Sequence, residues 1–234
     1  MSGIVYGVGV GPGDPELITL KAARLIASAD LVAYPAPEEG ESFARTIAAS
    51  HLREGQREYA IRMKIADGQF PKDEVYDAAA DRLAQAANAG DVVVVLCEGD
   101  PFFYGSFMYL YARLAVRAPV VVVPGVSSLM ACAVASGGAL AAKNDVLTVV
   151  PAPLPEEELK RRLAEAESAA IIKLGRHLPK VRKVLGELGL AANTRYVEHA
   201  TLDSQKVTRL DDFNGATAPY FSMLLVHRRG EAWS

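Results

Sequence analysis

The stretch Val92-Val93-Val94-Val95-Leu96-Cys97 places six apolar residues in a row with no polar alternation. A strand with one wet face alternates, so this run requires cover on both sides, as in a parallel sheet with helices on both faces. A second run, Val120-Val121-Val122-Val123, predicts another strand of the same kind.

The rest of the first half alternates to match. Residues 4–10 predict a short apolar strand that runs into the turn Gly11-Pro12-Gly13-Asp14-Pro15. Leu17, Ile18, Ala22, Leu25 and Ile26 then recur at helical spacing, with Asp14 as cap and Pro15 in the first turn. A strand over 30–34, a helix over 42–51, a strand-bearing loop over 55–72 and a helix over 73–89 ending at Gly90 follow. A helix over 107–116 joins the two valine runs.

After Pro124-Gly125 the chain starts again. A small-residue helix over 128–135, a Gly137-Gly138 break and a strand over 146–150 lead into the Pro-rich segment 151–155. A helix over 156–167, a strand over 169–174, a helix over 180–188 and strands over 195–199 and 220–226 complete the pattern. The expected fold is therefore two α/β domains, 1–124 and 125–234, the first with a mainly parallel sheet and the second with a mixed one. The run Glu156-Glu157-Glu158 followed by Lys160, Arg161 and Arg162 reads as a solvated helix face with acids at its N-terminus.

Composition excludes several classes. With 234 residues, 50% hydrophobic and 23% charged, the chain can bury a core, which rules out disorder and small stapled scaffolds. A net charge of -3 gives no basic excess, so bulk nucleic-acid binding is not expected. Cys97 and Cys132 sit in apolar stretches and read as buried thiols in a reducing compartment. The N-terminus lacks the pattern of a signal peptide, and no apolar run approaches the roughly 20 residues of a membrane helix. No membrane association and a cytoplasmic location are expected.

Three turns follow apolar strands and carry the candidate chemistry. The first offers Gly7, Gly9, Gly11 and Gly13, but G-x-G-x-x-G fails: Pro12 or Asp14 falls where the third glycine belongs. Pro12 and Pro15 remove amide donors and Asp14 adds negative charge, so the turn suits a ligand without phosphate. The second is Glu98-Gly99-Asp100-Pro101-Phe102-Phe103-Tyr104-Gly105. Gly99 allows close backbone approach, and Glu98 and Asp100 offer acceptors. The third is Pro124-Gly125-Val126-Ser127-Ser128, whose serines read as a helix cap turned toward a ligand. It is not a nucleophile elbow, because Leu129 stands where that motif needs glycine. No Gly-Lys step exists for a P-loop. His51, His177, His199 and His227 are scattered without metal spacing and read as surface or structural residues, so no metal site is expected.

These three turns, in this order, resemble the tetrapyrrole methylase family, the class III methyltransferases that use S-adenosyl-L-methionine. The carrying residues are Val8-Gly9-Val10-Gly11-Pro12-Gly13-Asp14-Pro15-Glu16-Leu17-Ile18-Thr19-Leu20-Lys21-Ala22, then Glu98-Gly99-Asp100-Pro101, then Pro124-Gly125-Val126-Ser127-Ser128. Ile171-Ile172-Lys173-Leu174-Gly175 and Glu198-His199-Ala200-Thr201 extend the likeness over essentially the whole chain. Tyr34-Pro35 and the segment from Gly99 to Ser106 are most similar to the precorrin-2 C-20 methyltransferases of cobalamin synthesis.

The resemblance implies a cofactor cleft between two α/β domains, a homodimer, and a small-molecule tetrapyrrole as substrate. It places Pro12 near the cofactor, Gly99, Asp100 and Phe103 along its pocket, Ser127 and Ser128 in contact with it, and Leu174 and Ala200 around the adenine. Ala200 departs from the family's frequent Glu-Asn-Gly-Thr, where glycine stands in its place. Methyl transfer to an electron-rich pyrrolic carbon needs positioning more than covalent machinery. Tyr104, Tyr109 and Glu98 are candidates for the base, and Arg45, Arg62 and Lys64 for binding the substrate's carboxylates. The rival readings are a methylase acting at another precorrin carbon or on uroporphyrinogen III, an NAD-dependent oxidoreductase, and a non-catalytic ligand-binding protein.

Overall fold

A computed structural model of the chain describes residues 3–64 and 73–232. They form two compact units, Met1–Ser127 and Ser128–Ser234, each built on its own five-stranded sheet.

The first unit runs β1 (Ile4–Gly9), α1 (Leu20–Ser28), β2 (Leu31–Pro37), α2 (Phe43–Ala48), β3 (Arg57–Met63), α3 (Asp73–Asn88), β4 (Val92–Cys97), α4 (Phe107–Leu114) and β5 (Val120–Val123). Every pairing is parallel and the order is β3-β2-β4-β1-β5. The central β4 explains its unbroken apolar run. Val93, Val95 and Cys97 enter a core with Leu83 of α3 and Leu114 of α4, while Val94 and Leu96 enter the opposite core with Ile26 of α1 and Ile47 of α2. Burying a side chain of this size contributes about 1.5–3 kcal/mol. The part of the expected loop over 55–72 that is described forms β3; residues 65–72 lie outside the described chain.

Two expectations need correction. β5 is covered less fully than β4: Val120 and Val122 pack on one core and Val123 enters the other, but Val121 stays open. It is the sheet's edge, pairs only with β1, and leaves Val121 36% exposed, because an apolar run does not encode whether a second neighbour exists. The first helix is also divided. Pro15–Leu17 forms a short 3-10 turn with Glu16 N donating to Asp14 Oδ1 at 2.8 Å. Ile18 and Thr19 are extended, which carries Ile18 into the core, and Thr19 Oγ1 caps α1 by accepting from Ala22 N at 3.2 Å.

The second unit runs α5 (Ser128–Ser136), β6 (Leu147–Pro151), α6 (Glu156–Glu165), β7 (Ser168–Ile172), α7 (Leu178–Glu187), β8 (Thr194–Glu198), β9 (Lys206–Arg209) and β10 (Ser222–His227). The order is β6-β7-β10-β8-β9, with β6 parallel to β7 and the remaining pairs antiparallel. β9 escapes sequence reading because Lys206, Val207 and Arg209 are exposed and leave no apolar pattern. The acidic start of α6 is a solvated face as read: Glu158 pairs with Arg161 and Arg162, and Glu156 reaches Lys183 of α7.

Cys97 and Cys132 are free and buried, and burial pushes each thiol up to about 12, so neither supplies a thiolate at neutral pH. No helix among the described residues is long and apolar enough to cross a membrane.

Candidate functional site

In the first unit all strands run one way, so their carboxyl ends share an edge, the usual ligand side of an open parallel sheet. There the three turns meet. β1 continues past its end: Val10 N donates to Cys97 O at 2.9 Å, and Gly11 and Gly99 exchange both backbone bonds, at 3.3 and 2.8 Å. A Cβ on Gly9 would lie 2.5 Å from Gly99 O and 2.6 Å from Gly125 N. A Cβ on Gly125 would overlap Gly99 O and lie 2.8 Å from Gly9 Cα. Three glycines from three turns are thus in backbone contact, which no larger residue permits.

Asp100 locks this arrangement. Its Oδ2 accepts from Gly125 N at 3.1 Å and its Oδ1 from Phe102 N at 2.9 Å, so one carboxylate ties the second turn to the third. Sequence reasoning treated Asp100 as a free acceptor; both oxygens already hold backbone donors, which leaves only their remaining lone pairs for any further partner. Pro12, half-buried, follows Gly11 at the same edge. Ser127 immediately precedes α5, and Ser128 is its exposed first residue.

The candidate bases stand at or near this edge. Glu98 keeps some surface open, yet burial pushes its carboxyl above the ordinary range, against backbone hydrogen bonds from its own amide and from Ala44 that pull it down. Tyr104 is 45% exposed and adopts φ 56, a left-handed backbone that costs about 1 kcal/mol in a residue with a side chain. The tight wrap behind it imposes this, since a Cβ on Gly105 would lie only 2.6 Å from Asp100 O. The Phe103 ring meets Tyr104 edge-on at 5.2 Å. Tyr109, on α4, instead packs its ring at 5.5 Å from Tyr76 of α3.

Arg45 and Arg62 line one recess of about 220 Å³ with Tyr34, Ser42 and Thr46, at the carboxyl ends of β2 and β3. Arg45 is engaged: Nε and Nη2 grip Glu58 at 2.6 and 2.9 Å, which raises the guanidinium's pKa and lowers that of Glu58. Arg62 holds three carbonyls, Pro37 O, Glu38 O and Gly40 O, through Nη1 alone. Lys64 is exposed at the end of β3 and does not line the recess.

The second unit has its own candidate edge. β7 and β8 are both antiparallel to β10, so their carboxyl ends emerge at the same sheet edge on either side of it. Lys173, Gly175, His199 and Thr201 all adopt positive φ there (58, 43, 51 and 73). Strained backbone of this kind clusters where a fold holds a ligand or a switch. Leu174 and Ala200 sit within these two turns. The Leu174 side chain is wholly buried among core residues such as Leu178 and Tyr196, so any contact it makes with a ligand goes through its backbone. Ala200 is 7% exposed. Sequence reasoning overlooked the contact glycines Gly9 and Gly125 as site residues; a glycine at each of three strand ends was the available signal.

Two α/β units, the first closing a glycine-lined edge on an acidic turn, define a two-domain ligand-binding fold. The chain belongs to the tetrapyrrole (corrin/porphyrin) methylase family, whose model matches residues 4–212. The cobalamin biosynthesis protein CobIJ of Mycobacterium tuberculosis is 43% identical over 232 residues, covering 96% of this chain and 46% of that protein. The chain therefore spans less than half the length of that relative. A precorrin-2 C(20)-methyltransferase from Sinorhizobium sp is 40% identical over 238 residues, 97% of each chain. Among solved structures, uroporphyrin-III C-methyl transferase from Thermus thermophilus, complexed with S-adenyl homocysteine, matches with a TM-score of 0.70 at 26% identity, covering 97% of this chain and 98% of that one. The family read from the three turns is the family that matches.

Proposed function

We propose that this chain transfers a methyl group from S-adenosyl-L-methionine to C-20 of precorrin-2 or cobalt-precorrin-2, giving the precorrin-3A skeleton, as a homodimer in the cytoplasm. The observation that carries the reading is the meeting of the three family turns on one sheet edge, through Gly9, Gly99, Gly125 and Asp100. The 40% identity along the full length of a precorrin-2 C(20)-methyltransferase supports the position of transfer.

The residues present suit the cofactor. A turn poor in amide donors at Pro12 and Pro15 favours a ligand without phosphate, and the glycine contacts bring backbone rather than side chains to its surface. S-adenosyl-L-methionine supplies an electrophilic methyl on a sulfonium. Gly99, Asp100 and Phe103 of the second turn and Ser127 and Ser128 of the third would hold it, with Pro12 of the first turn nearby and the backbone of Leu174 and Ala200 toward the adenine. The chain's task is then to place the nucleophilic carbon in line, where orientation supplies much of the rate. A raised carboxyl pKa makes Glu98 a better proton acceptor than an ordinary carboxylate, and Tyr104 is the alternative base. Arg62, with Nε and Nη2 outside its three carbonyl contacts, is better placed than Arg45 to bind a substrate carboxylate. Lys64 would act only at longer range.

Incubation with S-adenosyl-L-methionine and precorrin-2, with and without cobalt, should yield one added methyl by mass and equimolar S-adenosylhomocysteine, and NMR with labelled methyl should locate it at C-20. No methylated product from either substrate would overturn the assignment. Arg62→Glu should raise the KM for the tetrapyrrole about tenfold while cofactor affinity stays unchanged, as loss of one charge-assisted contact implies. Equal changes in both constants would argue against a role in substrate binding.

A further inference from the structure

The loop carrying Ala200 is held by a buried carboxylate. Glu198, the last residue of β8, lies directly opposite Lys206, the first of β9. Its side chain is 6% exposed. Oε1 accepts from Lys206 Nζ at 2.7 Å, and Oε2 accepts from the Tyr196 hydroxyl in a short hydrogen bond. Tyr196 is itself immobilised, fully buried and stacked on Phe213 with ring centroids 3.9 Å apart. The carboxylate thus joins both strands of a hairpin at the point where its loop begins.

That loop is tightly built. Leu202 N donates to His199 O at 3.0 Å, Thr201 N to Gln205 Oε1 at 2.8 Å, and His199 Nδ1 lies 3.2 Å from Ser204 Oγ. His199 and Thr201 are left-handed on either side of Ala200. A backbone in this state persists only where its surroundings over-determine it, and the anchor at the base of the loop is Glu198.

We propose that Glu198 is a positioning residue for cofactor binding, its carboxylate holding the strained 199–201 loop in the shape that presents Ala200. This rests on the methyltransferase reading above, in which Ala200 borders the adenine. Glu198 acts through the loop and touches no reacting atom.

The charge state matters. Burial alone would raise the Glu198 carboxyl; the bonds from Lys206 and Tyr196 outweigh it and hold the group below the ordinary carboxylate range. The charged or titratable groups facing it are Lys206 from β9, Tyr196 from its own strand and His199 from the loop, with Arg182 of α7 over the Phe213 ring that stacks on Tyr196.

The test is calorimetric binding of S-adenosyl-L-methionine to the full chain. Glu198→Gln should raise Kd about tenfold and raise the KM for the cofactor alike, with kcat changed less than about twofold. Lys206 is exposed, so Lys206→Met should fold. Without the cation, burial lifts the carboxyl's pKa, and the charged form is lost as pH falls through the raised value. Cofactor affinity of Lys206→Met should therefore fall as pH is lowered into the carboxylate range, while the unaltered protein, whose carboxyl is held lower, stays flat further down. In the double variant Glu198→Gln with Lys206→Met that pH dependence should vanish; its persistence would overturn the proposal. Folded variants binding as tightly as the unaltered protein would also overturn it while leaving the functional reading intact. Failure of the unaltered protein to bind the cofactor at all would overturn both.

Discussion

Gly125→Ala should melt about 6–12 °C lower than the unaltered protein and lose cofactor binding more than about a hundredfold. The added methyl has no room: it would overlap Gly99 O and approach Gly9 Cα to 2.8 Å, and all of these atoms are backbone. Relief requires the third turn to move away from the other two, at about 3 kcal/mol for an overpacked site. The same motion breaks the bond from Gly125 N to Asp100 at 3.1 Å. Gly186→Ala in α7 is the control. Nothing lies within 4 Å of its Cβ position, so alanine there should leave binding intact and stabilise the helix by about 0.5–1 kcal/mol. Scanning calorimetry and titration calorimetry measure both effects. A Gly125→Ala protein with unaltered melting and affinity would mean that the three turns do not depend on this contact.

Asp100→Ala should weaken S-adenosyl-L-methionine binding about a hundredfold, near 2.7 kcal/mol. Two backbone donors lose their acceptor together, Phe102 N and Gly125 N, and each unsatisfied group costs about 1–3 kcal/mol if water does not replace the bond. The loss acts on the site through the second and third turns as well as through any direct contact. Asp100→Asn keeps one acceptor oxygen but turns an amide toward the other donor, so its affinity should fall between those of the alanine variant and the unaltered chain. Unchanged affinity by calorimetry in Asp100→Ala would remove Asp100 from the cofactor site.

Much of the first unit was legible because its chemistry is local. The apolar run at Val92–Cys97 demanded cover on both faces, and the two cores it enters supply that cover. Glycine, proline and acidic residues at strand ends marked the three turns before any partner was known. The second apolar run is also a parallel strand that reaches both cores, but Val120–Val123 carries no sign that it lies at the sheet edge with a single neighbour. The helix after Pro15 misled: Ile18 satisfies the helical spacing and also fits an extended bend, and the cap at Thr19 decides between them. β9 carried no apolar signal at all.

The candidate substrate residues divide in the same way. Arg45, Arg62 and Lys64 look alike as charges in a sequence. In the fold, Arg45 is committed to Glu58, Arg62 props the turn after β2, and Lys64 stands outside the recess that the other two share. Glu198 shows the converse, because a carboxylate within a recognised motif gave no sign that Lys206 would stand opposite it.

The sequence alone determined the α/β alternation, the three turns and, through them, the family, since these depend on residue types at short range: apolar runs, helix caps and glycines. Tertiary structure decided which strand is an edge, which cations are already paired, and how Gly9, Gly99 and Gly125 come into contact. Those outcomes depend on sheet order and on groups far apart in the chain, where a carboxylate such as Asp100 or Glu198 acquires its role only from the donors that the fold brings to it.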